Sequence, residues 1–152
     1  MGAEAKLKEL GIELPARFPP MANYVPAVRT GNLVYISGHG PNRPDGSFIT
    51  GKLGRELTIE QGQEAARLTM LNCLSTLKAE LGDLDHITRI VKVFGMVNCT
   101  EDFLDPPLVI NGGSDLLVEL FGEAGRHARS AVGMQSLPRG IAVEIEMVVE
   151  VS

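Results

Sequence analysis

The sequence predicts an α+β fold in which one mixed sheet carries its helices on one face. Two observations point to it. The elements follow one another as strands, helix, strand, helix and strands, with no internal repeat or interdomain linker. The last of them, residues 141–151, alternates apolar and polar side chains, a pattern that buries only one face of a strand. A length of 152 residues with 44% hydrophobic side chains suits a single domain over residues 1–152.

The first part of the chain contributes a helix and two strands. A short helix is predicted over residues 3–11, within an N-terminal extension that covers residues 1–20. Residues 23–38 predict two strands around the tight turn Thr30-Gly31-Asn32. The Gly/Pro-rich stretch 39–54 predicts a loop with a short strand near its middle.

Two longer helices are expected. The first begins at Thr58, because Thr58 and Gln61 have the spacing of a capping box, and it ends at Gly82. The second is predicted over residues 114–125, with its first residues as the cap. The apolar stripe of the first helix comprises Ala66, Met70, Cys73, Leu74, Leu77 and Leu81, and the side chains expected outside it are Glu64, Arg67, Ser75, Lys78 and Glu80.

A strand over residues 88–98 is followed by two C-terminal strands that a turn at 138–140 separates. Arg129 precedes this turn, and Glu144 and Glu146 follow it. Antiparallel pairing would bring a guanidinium within about two rungs of two carboxylates. The group could be a solvated ion pair worth under about 1 kcal/mol. The alternative, which the bare sequence favours less, is a fork for a ligand carboxylate, with a glutamate that handles a proton or positions water.

The second sheet face also needs a partner. Val148 lies on that face of the last strand, and the small side chains of Ala128 and Ala131 lie nearby in the sequence. Because two helices cannot cover both faces of a sheet, we expect the protein to self-associate.

Composition narrows the classes of function. A net charge of −5 and 5% aromatic residues without tryptophan argue against a nucleic-acid surface. No phosphate-binding loop is present, and His39, His86 and His127 lack metal-ligand spacing, so no metal is expected. Cys73 and Cys99 are predicted to be buried free thiols. With no signal peptide or membrane-length apolar run, we expect a soluble cytoplasmic protein without membrane contact.

Three segments carry a family resemblance. "NLVYISGHGP", the helix "LTIEQGQEAARLTMLNCLSTLKAELGDLDHITRIVKVFGMV" and "ARSAVGMQSLPRGIAVEIEMVVEV" together resemble the YjgF/Rid superfamily. Its members are the reactive intermediate deaminases, in older names the L-PSP endoribonucleases. The likeness covers residues 23–151 and includes the signature R-S-x-V-x-x-x-x-L-P-x-x-x-x-V-E-I-E. It implies a chorismate-mutase-like fold with two helices on one sheet face, and a homotrimer whose sheets form a central β-barrel.

The resemblance also implies a site between subunits and a reaction. Arg129 would bind the carboxylate of a small metabolite, and Glu144 would help to place the attacking water. The reaction would be hydrolysis of 2-imino acids, such as 2-iminobutanoate or 2-iminopropanoate, to 2-keto acids and ammonia, without a metal or cofactor. A non-catalytic binder or regulator that senses a carboxylate metabolite is the alternative, and ribonuclease action is a third hypothesis that the charge disfavours. The remaining substrate-binding residues by resemblance are Tyr24, Ser37, Gly38, His39 and Asn111.

The sequence departs from the family pattern in three places. Ala131 stands where deaminases of the best-known branch carry a cysteine. "SGHGP" replaces the usual "SGQ"-type sequence, which puts His39 near the pocket, and residues 105–114 are longer than the usual form. These departures are typical of a separate branch.

Overall fold

The computed structural model describes residues 1–17 and 22–152, and it confirms the α+β prediction. Residues 18–20 of the predicted N-terminal extension lie outside this description. No helix in the described part is long and apolar enough to cross a membrane. The helices are α1 (Ala3–Leu10), α2 (Ile59–Leu81) and α3 (Pro106–Phe121), and the strands are β1 (Ala27–Thr30), β2 (Leu33–His39), β3 (Ile87–Asn98), β4 (Ala128–Met134) and β5 (Val143–Val151).

The sheet has the strand order β1-β2-β5-β3-β4. β5 runs antiparallel to β2 and β3 on its two sides, and β4 pairs in parallel with β3. The predicted antiparallel hairpin of the last two strands is therefore wrong, and β3 separates Arg129 from Glu144. The reason is that α3 is a crossover, which returns the chain to the end where β3 began, so that the next strand runs parallel to β3. The connection after β4 then carries the chain across β3.

The second long helix begins eight residues earlier than predicted, at Pro106 instead of Ser114. Proline suits the first turn of a helix because its missing N–H would have no partner there. The pair Gly112-Gly113 lies inside the helix. A Cβ on Gly112 would sit 2.1 Å from the carbonyl oxygen of Gln63 in α2. These glycines therefore allow close contact between two helices.

The first long helix has the predicted boundaries. The Thr58 hydroxyl accepts from the Gln61 backbone N–H (3.2 Å), and the Gln61 side chain accepts from the Thr58 N–H (2.9 Å). Its predicted apolar stripe is fully buried except for partly buried Leu81. The prediction that Ser75 lies outside the buried face is wrong. Its side chain is buried and donates to the carbonyl of Pro15 (2.6 Å). A small hydroxyl can enter the core when it finds an acceptor there.

The two faces of the sheet differ. One face packs under α2 and α3, where Val143, Ile145 and Val149 of β5 are completely buried, each worth about 1.5–3 kcal/mol. No helix or strand of residues 1–17 or 22–152 covers the other face, which exposes Tyr35 (47%) and Val132 (38%). Cys73 and Cys99 are buried free thiols, as predicted.

The N-terminal extension packs against the core and α2. Helix α1 ends at Gly11, whose left-handed backbone (φ 67°) lets its N–H reach the last carbonyls of the helix. Ile12 and Leu14 then pack against the core. The chain reaches Pro15 in a defined place beside α2, where Ser75 holds it.

Candidate functional site

The structure divides the predicted site residues into two groups. The first group lines a cavity of about 520 Å³ between β2, the start of β5, α2 and the loop that follows β2. The second group lies on β4 and α3, on the other side of β3. The cavity group comprises Tyr24, Ser37, Gly38, His39 and Glu144, and the β4–α3 group comprises Arg129 and Asn111.

His39 is fixed in the cavity wall by two hydrogen bonds. Its Nδ1 lies 2.6 Å from the carbonyl oxygen of Ser37, which can only accept, so Nδ1 carries the proton. Its Nε2 lies 2.7 Å from the Thr76 hydroxyl, which donates to it when the ring is neutral. Burial lowers the pKa of His39, against a smaller opposing effect of the bond to Ser37. The histidine is therefore a neutral, oriented wall residue near pH 7.

Glu144 is the acidic group of the cavity. Its carboxyl is half-buried, and desolvation, followed by the negative charge of Glu146, raises its pKa. A Cβ on Gly38 would lie 2.5 Å from Glu144 Oε2, so this glycine leaves the space that the carboxyl occupies. A carboxyl with a raised pKa that faces an open cavity is suited to accept and return a proton.

Arg129 lies at the start of β4 and points toward α3. Its Nη1 donates to Asn111 Oδ1 (2.8 Å) and to the Ser114 hydroxyl (3.1 Å). That hydroxyl lies 3.0 Å from His127 Nε2, while His127 Nδ1 lies 2.7 Å from the carbonyl of Gly125. Burial is the largest effect that lowers the pKa of His127, and the charge of Arg129 adds to it. The guanidinium is thus oriented by neutral groups, and it pairs with no carboxylate of the described residues.

Arg126 and His127 precede Arg129 by three and two residues, and the sequence predicts both at the surface or in an interface. Arg126 is exposed and lies 3.6 Å from Glu123, as that prediction requires. His127 is half-buried and belongs to the Arg129 network. Ser114 of α3 lies beside the ring, so His127 helps to orient the hydroxyl that Arg129 contacts.

Sequence reasoning missed several residues of the cavity wall. Asn72, Ser75 and Thr76 all face it from α2. Their spacing of three and one residues places them on one side of a helix, a polar stripe that a periodicity search can find. Arg17 and Arg139 also line the cavity, and no local pattern marks either one, since loops bring them there.

No reactive thiol occupies the position of the family cysteine. Ala131 is half-buried on β4 opposite Gly95. Cys99 lies beneath Gly133, where an added Cβ would meet its sulfur at 2.7 Å, but desolvation raises the pKa of this thiol. Among the described residues, no three His, Cys, Asp or Glu side chains are grouped so that they could hold a metal ion. The available chemistry is therefore that of a carboxyl, a guanidinium and oriented neutral groups.

A family model with the description "YjgF/chorismate_mutase-like, putative endoribonuclease" matches residues 4–148. The chain belongs to the YjgF family. Protein TCP17 of Trypanosoma cruzi is 46% identical to it over 97% of this chain and 93% of its own. A 2-iminobutanoate/2-iminopropanoate deaminase of Dermatophagoides farinae is 28% identical over 91% of this chain and 93% of its own.

The fold agrees with membership in the YjgF family. A crystal structure of a Shewanella oneidensis protein superimposes with a TM-score of 0.95 at 32% identity. The match covers 99% of this chain and 100% of that one, so the N-terminal part is included in the superposition. The family resemblance found in the sequence is confirmed.

Proposed function

We propose that three copies of this YjgF-family chain assemble through their uncovered sheet faces and hydrolyse 2-imino acids to 2-keto acids and ammonia. Arg129 of one subunit would then face the Glu144 cavity of the next. The observation that carries the proposal is the separation of Arg129 from Glu144 within one chain. The oriented guanidinium and the carboxyl with a raised pKa lie on opposite sides of β3 in one chain.

The uncovered sheet face supports assembly. Val28 is 53% exposed and pairs with Tyr35 across β1 and β2, so the two apolar side chains share one exposed patch. Val132 adds an apolar side chain at the other end of the sheet, on β4. Apolar surface of this kind on a sheet is stabilised by contact with another copy.

The reaction follows from the two groups. Arg129 would bind the substrate carboxylate in two-point fashion and fix the imine carbon in the cavity. The Glu144 carboxylate would accept a proton from water as the water oxygen adds to the carbon of the protonated imine, whose nitrogen then becomes a neutral amine. Return of a proton to this nitrogen, with loss of the hydroxyl proton to the carboxylate, breaks the C–N bond. The products are the 2-keto acid and ammonia.

One relative supports this class of reaction by its name. A relative that is 28% identical is a 2-iminobutanoate/2-iminopropanoate deaminase. Because Ala131 replaces the family cysteine of the best-known branch, the proposed chemistry uses no thiol and depends on Glu144 alone for proton transfer.

Subunit mixing tests the proposal directly. Arg129→Ala and Glu144→Gln would each abolish ammonia release from 2-iminobutanoate generated in situ. When the two inactive variants are unfolded together and refolded as a mixture, each mixed trimer has one cleft with both groups intact. Random mixing should then restore about a quarter of wild-type activity.

The control for this experiment is Arg126→Ala, which removes an exposed guanidinium three residues from Arg129. This variant should keep full activity. Mixtures that stay inactive would contradict a site shared between subunits. Binding of a 2-keto acid without turnover of any imine would favour the metabolite-binding alternative.

A further inference from the structure

The Glu144 cavity is much larger than a four-carbon imino acid requires. Cavities of about 300–1,000 Å³ hold ligands of drug size. At about 520 Å³, this one has room for a substrate with a longer side chain. Its wall beyond Glu144 includes the apolar surfaces of Phe48, Pro138 and Ile141, against which carbon atoms of a longer chain can pack.

The N-terminal extension supplies part of this wall. Ala16 and Arg17 line the cavity, and the chain just before them is fixed by the buried bond from Ser75 to Pro15. Ile12 and Leu14 anchor the same segment on the core. The position of Arg17 is therefore set by α2 and the core.

The charges of the wall favour an anion. The charged side chains that line the cavity are those of Arg17, Arg139 and Glu144, and His39 is held neutral. The wall therefore carries an excess of positive charge even when the carboxyl is ionised. Arg139 also stacks on the ring of Phe48, with its guanidinium carbon 5.2 Å from the ring centroid.

Arg17 is the better placed of the two cations for a ligand. It makes no ion pair or hydrogen bond with another residue of the described part of the chain. Its place on the cavity wall is at the end formed by the N-terminal extension.

We propose that the cavity is built for 2-imino acids with a second acidic group at the far end of the side chain, and that Arg17 binds this group. The inference rests on the proposed function, in which Arg129 of a neighbouring subunit holds the first carboxylate. The substrate would be a dicarboxylic imine of five carbons, of the 2-iminoglutarate type. Enzymes that oxidise dicarboxylic amino acids to imines are the class of reaction that would supply them.

The test compares two imines on three proteins. 2-Iminoglutarate is generated in situ from glutamate by an amino-acid oxidase with catalase, and 2-iminobutanoate from threonine by a dehydratase. Wild-type protein should show the higher kcat/KM with 2-iminoglutarate. Arg17→Gln should lower kcat/KM for 2-iminoglutarate about five- to tenfold more than for 2-iminobutanoate. The reason is that only 2-iminoglutarate carries a second carboxylate for Arg17 to bind.

The matched control is Arg67→Gln, which removes the same charge from the outer side of α2, where Arg67 lies 4.0 Å from Glu119. This variant should leave the ratio of the two kcat/KM values unchanged. Binding of the product 2-oxoglutarate, measured by calorimetry, should weaken in Arg17→Gln and not in Arg67→Gln. Arg17→Lys should recover part of the binding.

The outcomes separate the two proposals. Hydrolysis of 2-iminobutanoate with no change of ratio in Arg17→Gln would overturn the dicarboxylate inference and leave the imine reaction standing. Binding of 2-oxoglutarate that depends on Arg17, without turnover of either imine, would support the recognition and overturn the hydrolysis. Absence of both turnover and 2-oxoglutarate binding would overturn both.

Discussion

The Arg129 cluster and the Glu144 cavity are built in opposite ways. Arg129 is held by a closed series of hydrogen bonds that runs through Ser114 and His127 to a backbone carbonyl. The Glu144 carboxyl instead faces open space that a glycine maintains. A tightly oriented cation suits a group that every substrate of the class shares, while a roomy cavity suits the part that differs between substrates. The contrast suggests that affinity and selectivity can be changed separately.

The largest effect is expected when the proton-transfer group of the cavity is removed. Glu144→Gln keeps the shape of the side chain but cannot accept a proton, and should lower kcat roughly 10²–10⁴-fold. Binding of a 2-keto acid should remain, since the Arg129 cluster is untouched. Steady-state ammonia release together with calorimetry measures both quantities.

Glu146→Gln is the matched control for this variant. Glu146 is the second cause of the raised Glu144 pKa, so its neutralisation should lower that pKa. The acid limb of the kcat/KM profile, which reports ionisation of Glu144, should then move to lower pH while the maximum rate persists. A limb that does not move would contradict the assignment of Glu144 as the titrating group.

A smaller loss of kcat is expected when the Glu144 carboxyl is kept but the space that it occupies is filled. In Gly38→Ala the new methyl group would overlap Glu144 Oε2, so the carboxyl must turn away. We expect kcat to fall about 10- to 100-fold. Thermal unfolding should change little, because the side chain that yields is flexible. An active variant would show that the present carboxyl position is not needed for the reaction.

The role of the Arg129 cluster is tested by removing a hydrogen bond that orients the guanidinium while its charge is kept. Asn111→Ala deletes the acceptor that lies 2.8 Å from Nη1. We expect KM to rise about tenfold with a smaller change in kcat, because orientation of the carboxylate is what is lost. Asp115→Ala, an exposed neighbour on the same helix, should behave as wild type. Equal effects of the two substitutions would indicate a general change in α3.

The smallest effect concerns stability. Because the pKa of His39 is lowered in the folded protein, the unfolded chain binds the proton more readily. The stability that comes from keeping His39 neutral is fully present above the ordinary histidine pKa. It is lost as the pH falls toward the pKa of His39 in the folded protein. His39→Gln should therefore reduce the acid-side decline in the free energy of unfolding, because glutamine takes up no proton in the unfolded chain. Urea unfolding at pH 7 and pH 5 measures it, with exposed His86→Gln as the control.

Local signals explain which parts of the fold were predictable. Thr58 and Gln61 mark the start of α2 through bonds between residues three apart. The alternation in β5 identifies its buried face for a similarly local reason. The order of strands depends on contacts between residues distant in the chain, so no pattern within β4 or β5 shows that β3 lies between them.

The residues of the candidate site that belong to family motifs were predictable from the sequence. Glu144, Gly38 and His39 do line one cavity, and Arg129 does meet Asn111. Arg17 could not be found this way. Its place depends on how the N-terminal extension folds back on α2, which the bond from Ser75 to Pro15 and the packing of Ile12 and Leu14 determine.

The parallel pairing of β4 has a consequence for handling the protein. As the last strand of the sheet, β4 has a neighbour on one side only, and its other side offers unpaired N–H and C=O groups. It contains no proline or lysine that would discourage another strand, and Val132 is exposed on it. Such an edge is a template for aggregation when it is left open. In the proposed trimer, variants that weaken the contacts between subunits should therefore precipitate on dilution or warming, and loss of soluble protein would be their first sign.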